Sequence, residues 1–322
     1  METYQLLEKQ FGAWTQTHNL VACSSGSSAL HLALESLQLP PGSEVLVPEF
    51  TMIACARAVT MAGLKPVFVD CNDSLLMDPE ACIRQITPIT RAIMPVHVYG
   101  RACNMKFLSR LARDNDLKIV EDCAEFHGGT LSGLADASCW SFYSNKIVHG
   151  EEGGMIAFAN PEHAALARML RCQGFTDKHD FFHVPRGING RLSNVNAALI
   201  LNSLLDADLH LQQRAQIEAW YNQYVPMDWH MPPRDVCWVY DVKVPHADAF
   251  AVVTALNRFG VAARVGFKPM SLQAEYRQPE GHIVYRNAQY WSEHVLYLPV
   301  HPDMTEHRVQ EISRLLQLAV MP

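Results

Sequence analysis

No run of basic residues interrupts this chain. Its 26 Lys and Arg are outnumbered by 33 Asp and Glu, for a net charge of -7 and a pI near 6.1. Nothing in it could neutralise a nucleic-acid backbone, so a general nucleic-acid binder is excluded. A local basic pocket for a phosphorylated small molecule stays compatible with that balance. Also missing is any uninterrupted apolar stretch long enough to span a bilayer. The opening METYQLLEKQFGAW has neither the basic start nor the apolar core of a signal peptide, and a cytoplasmic protein that keeps clear of membranes is expected. Nine cysteines (Cys23, Cys55, Cys71, Cys82, Cys103, Cys123, Cys139, Cys172 and Cys237) include no CxxC pair. An odd, scattered set fits reduced thiols better than a disulfide frame or a zinc site. G-x-G-x-x-G and G-x-x-x-x-G-K-[ST] are both lacking, which leaves dinucleotide and P-loop readings without support. Internal repeats and low-complexity tracts are absent too.

What is present is an ordinary globular composition. The 322 residues are 49% hydrophobic and 18% charged, enough for one large core and a smaller second domain. Short apolar segments, SEVLVP, KPVFVD, RAIMPVHVYG and KIVEDC, read as strands buried on both faces. Between them 51–62, 78–86 and 103–115 carry helical spacing, after a first helix over 2–14. That βαβα rhythm predicts a mostly parallel sheet with helices on both faces. SCWSFYS and GMIAFAN add strands, followed by a helix over 161–172 and a long helical stretch from near Ser193. The tail reads strand (237–244), helix (247–259), strand (261–267) and terminal helix (304–318), a smaller α+β domain. The expected division is 1–205 and 206–322.

Three segments carry chemistry. SSGSSAL places small residues just before a helix, where free N–H groups, the helix dipole and Ser hydroxyls suit a phosphate. The same residues fit a plain Ser N-cap with a glycine turn. KIVEDCAEFHGG ends a strand with Glu121 and Asp122, at the sheet edge where α/β proteins gather their ligands. A carboxylate there could hold a cationic ring nitrogen, bind a metal, act as a base, or cap the next helix. SFYSNKIVHGEEGG puts the single Lys146 at the end of an aromatic strand, without charged neighbours. An amine, a carboxylate and a helix N-terminus are together what an aldehyde cofactor needs: a Schiff base, a protonated pyridine nitrogen and an anchored phosphate. Lys146 is therefore the expected carrier of pyridoxal 5'-phosphate (PLP).

In order and spacing, SSGSSALHLAL, VLVPEFTMIACARAV, AGLKPVFVD, AIMPVHVYGRACNM, VEDCAEFHGG, WSFYSNK, GEEGGMIAF, INGRLSNVNAAL and GFKPMSLQAEY run across nearly the whole chain. This series resembles the DegT/DnrJ/EryC1/StrS family of PLP-dependent nucleotide-sugar aminotransferases, with SFYSNK and FKPMSLQ most similar to its perosamine-synthase-like branch. The resemblance implies an aspartate aminotransferase-like α/β fold (PLP fold type I), with a mostly parallel central sheet and a smaller C-terminal α+β domain. It implies Lys146 as the Schiff-base lysine that also moves the proton, and Asp122 as partner of the pyridine nitrogen. Glu125 falls where the family has Gln or His near the ring. Ser141, with Gly26, Ser27 and Ser28, is implied to hold the phosphate, and Asn189 to reach it from the partner subunit of a homodimer with shared sites. The implied reaction moves an amino group from L-glutamate to the keto carbon of a nucleotide-linked (deoxy) sugar, for surface polysaccharide or glycoside biosynthesis.

Departures from the family pattern keep two other readings open. Met52 takes the place where relatives put an aromatic on the cofactor ring, a position a thioether can also fill. Gly190 replaces a tyrosine, and the sequence begins almost at the helix before SSGSSAL, without the arm that relatives wrap over the site. A PLP-dependent sugar dehydratase is one alternative, against which Lys146 itself argues, since those relatives carry histidine there. A non-catalytic binding or regulatory subunit is the other.

Remaining residues have plainer readings. Asp177, His179 and His183 could form a metal cluster but have no third strong ligand or HExxH pattern, and a surface loop is expected, with no metal. His97 either lines the pocket or is a hydrogen-bonded core histidine. Trp14, Trp140 and Trp238 are expected in the core or an interface. Glu151 and Glu152 are placed in the turn after the lysine segment.

Overall fold

The computed structural model describes residues 2–176, 181–277 and 284–320. In chain order the elements are α1 (Thr3–Thr15), β1 (Leu20–Cys23), α2 (Gly26–Ser36), β2 (Glu44–Pro48), α3 (Ile53–Met61), β3 (Lys65–Val69), α4 (Pro79–Gln85), β4 (Thr90–Ile93), α5 (Met105–Asp114) and β5 (Lys118–Asp122). They continue as β6 (Ala137–Ser141), β7 (Gly154–Phe158), α6 (Pro161–Leu170), α7 (Asn194–Leu205) and α8 (Ala207–Tyr224). Last come β8 (Tyr240–Lys243), α9 (Ala249–Arg258), β9 (Arg264–Val265), α10 (Arg286–His294), β10 (Val295–Leu298) and α11 (Glu306–Val320).

Among the described residues, seven strands form one sheet in the order β1-β7-β6-β5-β4-β2-β3. Only β7 runs against its neighbours β1 and β6; the pairs from β3 through β6 are parallel. The burial of β1, β2 and β7 is continuous rather than alternating, as helices on both faces require. A second sheet, β8-β10-β9, is antiparallel and has its own apolar cluster with α8, α9 and α11, including Tyr221, Val242, Leu256, Leu296 and Leu316. The fold is thus the expected one: a mostly parallel α/β sheet followed by a smaller α+β sheet.

Local differences have local causes. RAIMPVHVYG is a strand only as far as Ile93. Pro95 offers no N–H for a ladder, and Tyr99 and Gly100 both take positive φ, 52° and 79°. The stretch beginning near Ser193 is two helices, broken at Asp206 (φ -102°, ψ 10°). The strand expected over 261–267 shortens to two residues, and β10 with its preceding helix α10 was not foreseen. The carboxyl ends of β5 and β6, the start of α2 and the loop before β8 converge on one place.

Candidate active site

The first wall is the start of α2. Ser25 is its N-cap, with Oγ accepting the Ser28 N–H at 3.1 Å. The Ser28 hydroxyl meets those of Ser24 (2.9 Å) and Ser25 (3.0 Å). Gly26 lies flat against β6: a Cβ there would come 2.6 Å from the Cβ of Ser141, so only glycine permits this approach. The first-turn N–H groups of Gly26 and Ser27 have no intrahelical acceptor, as at every helix start. A cradle of N–H and hydroxyl donors results. Ser27 and Ser28 also line, with Met52, His31, Arg57 and Ile188, a cavity of about 230 Å³. Met52, the N-cap residue of α3, is 55% exposed there.

The floor is the end of β5. Asp122 is buried, its Oδ1 accepting the Ala124 N–H at 2.9 Å and its Oδ2 the Cys55 thiol at 3.2 Å. Glu125, also buried, accepts the Tyr99 N–H on Oε2 at 2.7 Å. Burial pushes its carboxyl up to about 7, against the opposing pull of Lys146.

Lys146 sits half-buried between β6 and β7, its N–H donating to the Tyr143 carbonyl at 2.9 Å. Its Nζ lies 3.9 Å from the centre of the Trp238 ring, a cation–π seat. Burial holds its pKa below the usual lysine range, and Glu125 and Asp122 partly restore it. Trp238 is fixed by its indole N–H to the Asn145 carbonyl (2.9 Å) and by Arg214 Nη1 on its own carbonyl (2.7 Å). Buried His127 is held neutral: burial first, then Lys146, push its pKa down to about 3. Its Nε2 is buried and has no hydrogen-bond partner among the described residues.

Among the residues expected from sequence, Gly26 meets Ser141 directly, Ser27, Ser28 and Met52 share one cavity, and Asp122, Glu125 and Lys146 are electrically coupled. Asn189 stands apart and exposed, its Oδ1 accepting Arg191 Nε at 3.3 Å. Gly190 is buried, and its carbonyl takes the Ser24 N–H at 2.8 Å, tying this segment to the α2 cradle. Glu151 and Glu152 lie exposed in the turn after Lys146.

His97 is a core histidine, 2.9 Å from Glu121, with its ring tilted against that of Phe126. His97, Glu121 and Cys123 bring three potential ligand atoms within 4.8 Å of one another. Both His97 nitrogens and both Glu121 oxygens, however, already have hydrogen-bond partners. Asp177 and His179 lie outside the described residues, and His183 Nδ1 is 2.8 Å from the Gln173 carbonyl oxygen. Trp140 is core and Trp14 pairs with Asp208; Trp238 is core, as expected, but its ring face also carries Lys146 Nζ, a contact sequence reasoning did not foresee. Tyr99, His127 and Cys55 were missed altogether. The one available signal was position: each lies within a few residues of a strand's carboxyl end or packs against one.

The donor set fits PLP. A hydroxyl-rich helix start that admits no Cβ at Gly26 suits a phosphate, a doubly anchored carboxylate suits a ring cation, and a lysine kept below its usual pKa suits an aldehyde.

Comparison with known proteins agrees. A model of the DegT/DnrJ/EryC1/StrS aminotransferase family matches residues 2–317. GDP-perosamine synthase of Caulobacter vibrioides is 34% identical over 326 residues, 95% of this chain and 86% of that protein. The solved structure of DesV from S. venezuelae, in complex with a ketimine intermediate, superposes with a TM-score of 0.91 at 28% identity, covering 100% of this chain and 90% of the other. That of NtdA from Bacillus subtilis with bound cofactor PMP gives 0.91 at 26% identity, covering 99% and 77%.

Proposed function

The chain belongs to the DegT/DnrJ/EryC1/StrS aminotransferase family, and we propose that it moves an amino group from L-glutamate to the keto carbon of a nucleotide-linked sugar. Its class, a PLP-dependent aminotransferase, is that of its family and relatives; the donor and the residue roles below are our reading. The observation that carries them is Lys146, half-buried with its amine on Trp238 and coupled to Asp122 and Glu125.

Bound PLP supplies an aldehyde for amine exchange and a cationic ring that draws electrons from the reacting carbon. Lys146 would hold the aldehyde end, Asp122 the ring nitrogen, and Gly26, Ser27, Ser28 and Ser141 the phosphate, with Met52 and Glu125 beside the ring. Lys146 Nζ, once free, is the group that moves a proton, and its lowered pKa keeps a larger share of it as amine near neutrality. Asp122, anchored through both oxygens, keeps one orientation without reorganising. The unit over 1–205 would hold PLP, and that over 206–322 would cover it with Trp238. Asn189, exposed here, would reach the phosphate of a second copy in a homodimer with shared sites.

Purified protein should be yellow and bleach on addition of L-glutamate. Incubation with glutamate and a panel of nucleotide-linked keto sugars should yield, by mass spectrometry, a product in which an amine replaces the ketone. A yellow protein that bleaches with no glutamate and aminates no sugar would overturn the proposal.

A further inference from the structure

Between β4 and α5 the chain turns through Gly100 and Arg101, and the segment that leads into β8 lies directly on that turn. Gly100 sits at φ 79°, where a Cβ would come 1.8 Å from the Val236 carbonyl oxygen, so only glycine permits the approach. Its carbonyl takes the N–H groups of Asp235 and Val236, each at 3.0 Å, and the Ala102 N–H donates to Asp235 Oδ2 at 2.8 Å. Arg101 closes the joint. Its Nη1 and Nη2 grip Asp241 of β8 at 2.9 and 3.0 Å, and its Nε donates to the Pro232 carbonyl at 2.9 Å. Both side chains are buried. Arg234 holds the same Asp241 at 3.0 Å and lies 3.5 Å from Glu218, so the cluster balances cations with anions. A buried pair of this kind is hard to break, because the abandoned partner keeps its charge out of water.

Trp238 rides on the clamped segment. From Met231 to Val239 the chain forms no helix or strand, so no strand ladder fixes the ring. Its place is set by the Gly100–Arg101 turn before it, by Asp241 after it, and by its indole N–H on the Asn145 carbonyl at 2.9 Å. Lys146 Nζ rests on that ring, 3.9 Å from its centre.

We propose that Arg101 is a positioning residue for Lys146, acting through the segment that carries Trp238. The proposal rests on the reading of Lys146 as the working amine. By pinning both Pro232 and Asp241 to the loop after β4, Arg101 fixes the two ends of the segment and hence the indole face against the amine. That face holds Nζ in one place and shields it from water. The guanidinium does not work through its own charge. The charges that bear most on Lys146 are Glu125 and Asp122, which favour the ammonium, and Arg214, which opposes it; His127 beside it is neutral. Lysine is no substitute at 101, since an ammonium is a point charge without the planar fork that spans both Asp241 oxygens.

The test uses the full-length chain freed of PLP and grown with 5-fluorotryptophan. Its six tryptophans are followed by fluorine NMR, the Trp238 line being assigned by its loss in Trp238→Phe. Arg101→Lys keeps the charge and loses the fork. The Trp238 line should shift and broaden while that of Trp140 stays. In the same variant Lys146, followed by acetic anhydride labelling across a pH series and peptide mass spectrometry, should titrate at higher pH. Burial is the leading cause of its lowered pKa, and water now reaches the amine. Added to Trp238→Phe, Arg101→Lys should move the Lys146 profile no further than Trp238→Phe alone; a further shift would refute the route through the indole. A clamp that serves stability alone would lower the urea midpoint and leave Lys146 as it was. An unmoved Lys146 profile in a folded Arg101→Lys protein therefore overturns the proposal, whatever the Trp238 line does. If that variant does not fold, Asp235→Ala removes only an exposed tie, that to the Ala102 N–H. It should shift both signals the same way but less, and an unmoved Lys146 profile there overturns the proposal instead. Both signals are read without PLP or substrate, whereas a wrong reading of Lys146 as the amine shows in which lysine borohydride labels, so the two failures are told apart.

Discussion

Glu121 and Asp122 are consecutive on β5, and strand alternation sends their side chains to opposite faces of the sheet. Behind it, every partner is accounted for. Glu121 Oε2 meets His97 Nε2 at 2.9 Å, its Oε1 takes the Ser138 hydroxyl at 3.2 Å, and His97 Nδ1 accepts the Cys103 N–H at 3.1 Å. In front, Glu125 keeps an oxygen free, His127 keeps a bare nitrogen and Lys146 rests on an indole face. The closed side also steadies the open one: the His97 N–H donates to the Asp122 carbonyl at 3.1 Å, and the Asp122 N–H to Pro95 at 2.9 Å. A fully partnered buried network holds a backbone in place; an incompletely partnered one is free to bind and to titrate.

The harshest way to break the front face is to remove its amine. Lys146→Ala should abolish turnover and the yellow absorbance while circular dichroism stays native. Borohydride reduction of wild type should fix a pyridoxyl group on the peptide containing Lys146; a label on Lys65, Lys106 or Lys268 would refute the assignment. Next comes the pair of neighbours. Asp122→Asn should slow turnover roughly 100-fold or more, the scale of losing one preorganised electrostatic group. Glu121→Gln should instead cost about 1–3 kcal/mol of stability in urea unfolding, because His97 and Ser138 lose a charged acceptor, and leave the rate per folded molecule near wild type. Equal loss of rate in both variants would mean the two faces have been wrongly told apart.

The front face is also open toward Asn189, which one chain leaves exposed. If a second copy closes it, each site takes Lys146 from one chain and Asn189 from the other. Lys146→Ala homodimers should be dead and Asn189→Ala homodimers slow and poor at retaining PLP. Subunit exchange between them should then give activity above the sum of the two. Confirmed exchange without that rise would put each site within one chain.

Most of the front face was legible because strand ends are. Apolar runs ending in Asp122 and Ser141, and small residues opening a helix at Gly26, mark where a parallel sheet collects ligands, and Lys146 follows one of those ends directly. Trp238 carries no such signal. It follows α8 far along the chain, and only tertiary packing brings its ring under Lys146, so reading it as core or interface held for its burial and could not show the lysine on its face. Tyr99 was hidden for another reason: its backbone is left-handed, with its N–H on Glu125 Oε2, and tyrosine gives no local hint of it. The short strands β9 and β10 pair across the chain rather than in a hairpin, and their few residues carry too little alternation to be read alone.

The smallest expected effect sharpens the front face at its rim. Met52 caps α3 with its side chain 55% exposed beside Ser27 and Ser28. The proposal that Met52 covers the cofactor ring is tested by enlarging that cover. A thioether makes a modest contact with a π face, whereas an aromatic pair is worth ~0.5–1.5 kcal/mol beyond the area it buries. Met52→Phe should therefore keep PLP several-fold longer through dialysis, read by absorbance, with no change in thermal unfolding of the PLP-free chain. The position is an N-cap without a side-chain capping bond, so phenylalanine gives up no cap that methionine supplied. An unchanged PLP off-rate, with the fold intact, would leave Met52 as an exposed residue of the rim that does not touch the cofactor. A slower off-rate would place it over the ring, on the open side of the sheet with Lys146 and Glu125.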